Sequence, residues 1–199
     1  MVESMARESV TRQSPLAGWT ERFSAVAPAI VLAEVPFRAM VNLRMRTGTA
    51  AASAVEAALG FALPLGPTPA GGVAGDRAAW LAPDEFLLSS GSRSASELTG
   101  VLRSALGDTA NGAAVNVSAQ YTSISLAGPE SRDLLAGGCS TDLSPDAAPT
   151  GSSVHTPLAQ ASVVIVVTDA AAGAFLLIVR ASFADYLASW LTMAAREYA

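Results

Sequence analysis

The sequence predicts an α+β fold, with two small lobes of antiparallel strands covered by helices and built from four ββα units. Three observations predict it. Short stretches of alternating apolar and polar residues come in pairs. Each pair is followed by a helical pattern with a capping residue or a closing glycine. Two of the units also align with each other at an offset of 89 residues. Strands and helices that alternate in this way favour sheets with helices on one face.

The first unit is predicted to have strands near 29–35 and 38–46, followed by a helix near 49–59. Gly60 ends that helix as a left-handed cap. The second strand alternates two sets of side chains on its opposite faces, the apolar Ala39, Val41, Leu43 and Met45 and the polar Arg38, Asn42, Arg44 and Arg46. Three arginines therefore share one face, with Arg38 and Arg44 about 20 Å apart at ~3.4 Å per residue.

The second unit follows a Pro- and Gly-rich loop at 63–72, which is typical of a linker. Strands are predicted near 77–81 and 85–90, on either side of a turn that contains Pro83 and Asp84. Ser94 and Glu97 have the spacing of a capping box and open an amphipathic helix.

The third unit is predicted to have strands near 113–118 and 121–127. Gly128 and Pro129 then open a helix that Gly137 ends.

The fourth unit is predicted to have strands near 159–167 and 174–180. A second capping box, Ser182 with Asp185, opens its closing helix. Residues 161–179 have nearly the length of a membrane span, but Asp169 and Gly173 interrupt them and the β-branched run favours a strand.

Seven residues of the second unit recur in the fourth at the offset of 89. They are Phe86, Leu87, Leu88, Ala95, Leu98, Leu102 and Ala105, matched by Phe175, Leu176, Leu177, Ala184, Leu187, Leu191 and Ala194. An ancestral duplication and two copies of one packing solution both explain this match. We expect a flexible tail at 1–13, a first lobe at 14–110 and a second lobe at 111–199.

The composition indicates a chain that is poor in charge. Hydrophobic residues make up 51% and charged residues 15% of its 199 residues, against roughly a quarter charged in a typical soluble domain. Either a large face is covered in an obligate complex, or alanine and glycine raise the apolar count. The net charge of −5 argues against nucleic-acid binding. A single cysteine and the lack of a secretory pattern predict a cytoplasmic protein.

The search for chemistry yields few candidates. Cys139 and His155 are the only cysteine and histidine, so a nucleophile–base pair of a hydrolase and a buried, inert thiol both remain open. One of each cannot form a structural zinc site, and no phosphate-binding glycine motif is present. The sequence therefore predicts no catalytic, cofactor-binding or metal-binding residue. Arg38, Arg44 and Arg46 form either a solvated face or a surface that pairs with carboxylates of a partner subunit.

Five blocks carry a resemblance to a known family, in the same order and across nearly the whole chain. They read SPLAGW, FRAMVNLR, AAWLAPDEFLL, VNVSAQYTSISLAGPESRDLLAGGCSTDL and FLLIVRASFADYLASWL. Together they resemble the gamma subunits of heterotetrameric sarcosine oxidases. The segment SLAGPESRDLL also resembles the folate-binding superfamily of the glycine-cleavage T-protein, and this resemblance implies a T-protein-like fold.

The resemblance implies a four-subunit enzyme that oxidatively demethylates sarcosine to glycine, with hydrogen peroxide and either formaldehyde or methylenetetrahydrofolate. Its alpha, beta and delta subunits would be the partners and would carry NAD and tetrahydrofolate, FAD and FMN, and zinc, respectively. The gamma subunit would bind no cofactor and serve as scaffold.

Two alternatives stay open beside that reading. One is the gamma subunit of a related dehydrogenase for another N-methyl amino acid. The other is a stand-alone folate-binding protein, which requires a pocket with an acidic group for the pterin and a basic group, Arg44 or Arg46, for the glutamate tail.

Overall fold

The computed structural model describes residues 11–26, 28–66, 71–73 and 75–198. Most of the predicted tail (1–10) and the centre of the predicted linker (67–70) lie outside the described residues. The described helices are α1 Thr20–Ser24, α2 Ala50–Leu59, α3 Ala95–Leu106, α4 Ser131–Ala136 and α5 Ala184–Ala194. The described strands are β1 Val31–Glu34, β2 Ala39–Met45, β3 Gly71–Val73, β4 Asp76–Ala82, β5 Glu85–Ser90, β6 Gly112–Asn116, β7 Tyr121–Ala127, β8 Ser153–Leu158, β9 Ala161–Asp169 and β10 Ala174–Arg180.

These strands form two five-stranded antiparallel sheets. Sheet 1 has the order β3-β4-β5-β2-β6, and sheet 2 has the order β1-β7-β10-β9-β8. Three apolar clusters show how the layers stack. One joins α2 and α3 to sheet 1, one joins α1, α4 and α5 to sheet 2, and one lies between the sheets. The fold is therefore a four-layer helix–sheet–sheet–helix sandwich, which confirms the predicted α+β class.

Two of the predicted units are divided between the sheets, which corrects the grouping of their strands. β1 pairs with β7 in sheet 2, while β2, the next strand along the chain, lies in sheet 1. In the same way β6 pairs with β2 in sheet 1, although it directly precedes β7. Alternation identifies the residues that share a face of a strand but not the strand that pairs with it. Residues 14–110 and 111–199 consequently each give one edge strand to the other's sheet.

The exchange is symmetric. If the first five strands are matched to the last five in order, both sheets have the same arrangement. In each sheet, one edge strand is the first strand of the other half, β6 in sheet 1 and β1 in sheet 2. The matched segments include β5 and β10, which are the central strands, and α3 and α5, which cover them. These are the elements that aligned at an offset of 89, so the sequence repeat corresponds to a repeat in the fold.

Local signals placed most element ends correctly. Gly60 has φ +81° and caps α2, and Ser94 with Glu97 makes the complete capping box of α3, as predicted. The box predicted at Ser182 and Asp185 is wrong. Phe183 is the cap residue of α5 and makes no side-chain cap bond. Asp185 instead accepts a hydrogen bond of 2.8 Å from Trp19 Nε1, which ties the N-terminal segment to α5.

Strand β8 was not predicted, because its serines and Pro157 resemble a loop. Proline removes a backbone donor and is tolerated at a sheet edge, and β8 is an edge strand of sheet 2.

The apolar stretch at 161–179 forms β9 and most of β10, as the sequence predicted. Within the described residues, no helix combines the length and apolar character needed to cross a membrane.

Candidate functional site: a cleft between the sheets

A cleft of about 520 Å³ opens at one side of the interface between the two sheets. Its floor is apolar and comes from both sheets, since Leu87, Val117, Val164 and Ile178 all belong to the cluster between them. Its rim is polar, and the rim residues are Asn42, Arg44, Glu85, Gln120, Tyr121, His155, Ser162 and Arg180. An apolar pocket with a few convergent polar groups is the usual form of a binding site.

One wall of the cleft carries an ion pair. Arg44 and Glu85 are direct cross-strand partners in β2 and β5, and Arg44 Nη2 lies 2.5 Å from Glu85 Oε2. The other oxygen of Glu85 accepts a hydrogen bond of 2.7 Å from Asn42 Nδ2. Both oxygens of this carboxylate are therefore engaged, and the pair leaves no net charge on this wall.

The opposite wall carries a guanidinium without a carboxylate. Arg180 ends β10 and is exposed. Its Nη1 donates a long hydrogen bond of 3.4 Å to the amide oxygen of Gln120, and its guanidinium carbon lies 5.3 Å from the centre of the Tyr121 ring. Among the described residues no acidic side chain forms an ion pair with it. This wall therefore has a net positive charge, on a chain whose net charge is −5.

The three arginines predicted to share one face have different environments. Arg38 is half-buried, donates a 2.5 Å hydrogen bond to the Gly75 carbonyl and lies beside Gly91. Burial and the nearby Arg77 lower the pKa of its guanidinium, and Asp76 partly offsets them. Arg44 lies near the opposite end of β2, where it forms the ion pair with Glu85 in the cleft. Arg46 lies beyond the end of β2 and is exposed.

Cys139 and His155 do not come together. Cys139 is buried in the apolar cluster between sheet 2 and its covering helices. Its Sγ lies 3.8 Å from Thr156 Oγ1 and accepts a hydrogen bond from the Thr141 N–H at 3.4 Å. His155 is the neighbour of Thr156 in β8, so its side chain is on the opposite face of the sheet. It lies on the rim of the cleft, with Nε2 2.9 Å from Ser162 Oγ. The sheet therefore separates the thiol from the imidazole, and the hydrolase alternative has no nucleophile–base contact.

The cleft fits a folate poorly, because a folate site needs an acidic group that is available to the pterin ring. Among its described lining residues Glu85 is the one carboxylate, and both oxygens of that group are already bound by Arg44 and Asn42. Nor do three or more His, Cys, Asp or Glu side chains gather as a metal site anywhere in the described parts of the chain.

Sequence reasoning missed most of this site. Arg180 was not singled out, although alternation along β10 places it on the same face as Leu176 and Ile178. That signal identifies a cation at the end of an apolar face. It does not show that this face lies against a second sheet, because sheet pairing is set by contacts distant in the chain.

Comparisons with known proteins give a consistent result along nearly the whole chain. The model of the sarcosine oxidase gamma subunit family matches residues 46–197. Sarcosine oxidase subunit gamma from an Arthrobacter species is 33% identical over 192 residues, covering 94% of this chain and 92% of the relative. The same subunit from Corynebacterium sp. strain U-96 is 31% identical over 201 residues, covering 98% of this chain and 96% of the relative.

Two solved structures are similar in fold. A chain of the heterotetrameric sarcosine oxidase from Corynebacterium sp. U-96, in complex with pyrrole 2-carboxylate, has a TM-score of 0.86 at 31% identity, covering 94% of this chain and 96% of that chain. The glycine cleavage system aminomethyltransferase T of Bartonella henselae has a TM-score of 0.57 at 16% identity, covering 92% of this chain and 53% of that chain. The second likeness concerns the fold alone and confirms the predicted T-protein-like architecture.

Proposed function

The chain belongs to the sarcosine oxidase gamma-subunit family, and we propose that it is the non-catalytic structural subunit of a heterotetrameric sarcosine oxidase. One observation carries this proposal. The likeness to a chain of a heterotetrameric enzyme, at a TM-score of 0.86, covers at least 94% of both chains. Since almost nothing is added or lost, a similar role within a similar assembly is the simplest account.

The proposed assembly contains alpha, beta and delta subunits beside this chain, in the cytoplasm. It oxidises sarcosine with oxygen and water to glycine, formaldehyde and hydrogen peroxide, or passes the one-carbon unit to tetrahydrofolate. FAD, FMN, NAD, tetrahydrofolate and zinc belong to the other subunits in this proposal. The engaged Glu85 carboxylate supports it, because the described lining of the cleft offers no other acidic group to hold a pterin.

The separation of Cys139 from His155 also supports a structural role. A nucleophilic thiol needs a base within hydrogen-bonding reach or another group that lowers its pKa. Here the thiol is buried against Thr156 on one face of sheet 2, and the imidazole is on the other.

Arg38, Arg44 and Arg46 are proposed to contribute to the subunit interface. Their environments suggest unequal shares. Arg38 is half-buried against Gly75, and Arg44 is paired with Glu85 although its side chain is 59% exposed. Arg46 is exposed and makes no ion pair within the described residues, so it offers the most available charge.

Activity measured with and without this chain tests the proposal. The other three subunits would be produced together, and this chain purified separately. We expect flavin absorbance in the other subunits only, no sarcosine-dependent peroxide from the chain alone, and full activity only from the complete set. Turnover of sarcosine by the chain alone would contradict the proposal. Activity with a different N-methyl amino acid, and with a dye in place of oxygen, would favour the related dehydrogenase.

A further inference from the structure

We propose that the cleft between the sheets receives an acidic segment of a partner subunit, which inserts one carboxylate against Arg180 and one apolar side chain onto the floor. This inference rests on the proposed function, because it names the chemistry by which the chain is held in its assembly. It goes beyond the predicted arginine face of Arg38, Arg44 and Arg46, of which only Arg44 lines the cleft.

The charge of the cleft determines the sign of the occupant. Arg44 and Glu85 neutralise each other at 2.5 Å, so Arg180 is the uncompensated charge among the described lining residues. Arg180 is therefore a local positive site on a chain whose net charge is −5. An incoming carboxylate gains a charge-assisted hydrogen bond from a guanidinium whose contacts among the described residues are Gln120 and the Tyr121 ring.

The floor determines the rest of the occupant. Val164 and Ile178 are buried members of the cluster between the sheets, and they line the bottom of the cleft. Val115 extends this apolar surface to the rim, where 49% of it is exposed. A purely polar ligand would leave the exposed part of this apolar surface, at Val115, without an apolar contact. A segment that combines an acidic with an apolar side chain satisfies both parts of the cleft.

The open rim favours a protein segment over a small molecule. Pockets for small ligands bury roughly 70–90% of the ligand, whereas Arg44, His155, Ser162 and Arg180 on the rim of this cleft are all exposed. A small molecule here would stay largely in solvent. A segment that belongs to a partner subunit needs no enclosed pocket, because the remaining interface contributes the rest of its binding.

Assembly of rim variants with the alpha, beta and delta subunits tests this inference. Arg180→Glu reverses the charge, and Ser162→Trp fills the cleft from its exposed rim. We expect both to weaken assembly by about tenfold or more, as loss of a contact at the centre of an interface does. Arg180→Lys keeps the charge and should restore most of the affinity, which separates a charge effect from a folding defect. Arg196→Glu is the matched control, since Arg196 is exposed on the helical layer outside the cleft.

The outcomes are distinct. Wild-type assembly that Arg180→Glu and Ser162→Trp leave unchanged would overturn the inference while the proposed function stands. An equal loss with Arg196→Glu would overturn it too, because it would reflect overall charge. Stabilisation of the complex by the small carboxylate benzoate, together with normal assembly of the variants, would make the cleft a small-molecule site and also overturn it. Failure of the wild-type chain to assemble would remove the proposed function and this inference together.

Discussion

Arg44 and Glu85 face each other across strands β2 and β5, and their side chains form an ion pair of 2.5 Å at the rim of the cleft. This pair reduces the positive charge that the predicted face of Arg38, Arg44 and Arg46 can offer to a partner. One of its three arginines is already neutralised within the chain. The cation left without a carboxylate in the cleft is Arg180, which comes from the other sheet.

The Arg44–Glu85 pair should contribute little to stability. Arg44 is 59% exposed, so solvent screens the attraction, and exposed pairs typically contribute about 0.2–1 kcal/mol. We expect that coupling energy from a double-mutant cycle of Arg44→Gln and Glu85→Gln, measured by urea denaturation. A coupling energy above about 2 kcal/mol would show instead that the pair is shielded from water.

The exchanged strands predict that the two halves of the chain depend on each other. Fragments 1–110 and 111–199 each lack one edge strand of the sheet that they mainly build, because β1 pairs with β7 and β6 pairs with β2. The face of each sheet that packs on the other is also apolar. We expect neither fragment to unfold cooperatively alone, and the mixture to form a 1:1 complex with the circular dichroism of the whole chain.

A control for the fragment experiment is a cut elsewhere. A cut within α3, for example after residue 100, divides a helix and also separates the exchanged edge strands β1 and β6 from their partner strands. These fragments should recombine less well. Two halves that each fold cooperatively and stay separate when mixed would show that 14–110 and 111–199 are independent domains, against this expectation.

Cys139 should matter for packing but not for turnover. Its side chain is only 7% exposed and lies among the apolar residues outside sheet 2. Cys139→Ala is expected to lower the free energy of unfolding by about 1 kcal/mol and to leave the activity of the assembled enzyme unchanged. His155→Ala is the companion variant. A loss of turnover per assembled complex in either variant would revive a catalytic role.

The capping box of α3 predicts a pH dependence. Hydrogen bonds from the side chain and backbone of Ser94 lower the pKa of Glu97 below its ordinary value of 4.5. A lowered folded-state pKa gives stability that is present above the unfolded value and is lost as the pH falls through the folded value. We therefore expect Glu97→Gln to destabilise the protein at neutral pH. The difference from wild type should shrink in denaturation curves recorded well below pH 4.5, and a difference that stays constant would contradict this assignment.

Much of the secondary structure could be predicted because its signals are local. β5, β7 and β10 have the predicted ends, and the cap at Gly60 and the box at Ser94 are correct. The box at Ser182 failed because Ser182 lies in a 3-10 turn at Ala181–Phe183, so that α5 begins after Phe183, and Asp185 accepts its hydrogen bond from the distant Trp19. Strand β8 was missed because its pairing with β9 overrides a loop-like composition.

The candidate site could be predicted only in part. Alternation correctly placed Asn42 and Arg44 on the face of β2 opposite to Leu43. It could not show that the same face lies against a second sheet, nor that Glu85 is the cross-strand partner of Arg44. The cleft arises from the stacking of strands that are distant in the chain, and periodicity within one strand does not encode that stacking.

The proposed role as a structural subunit is tested most directly by native mass spectrometry of the tagged chain, purified from cells that also produce the alpha, beta and delta subunits. We predict one complex with a single copy of each subunit, yellow from flavin and active in sarcosine-dependent peroxide formation. A monomer of 20.2 kDa recovered alone, with an active enzyme of three subunits left behind, would contradict it.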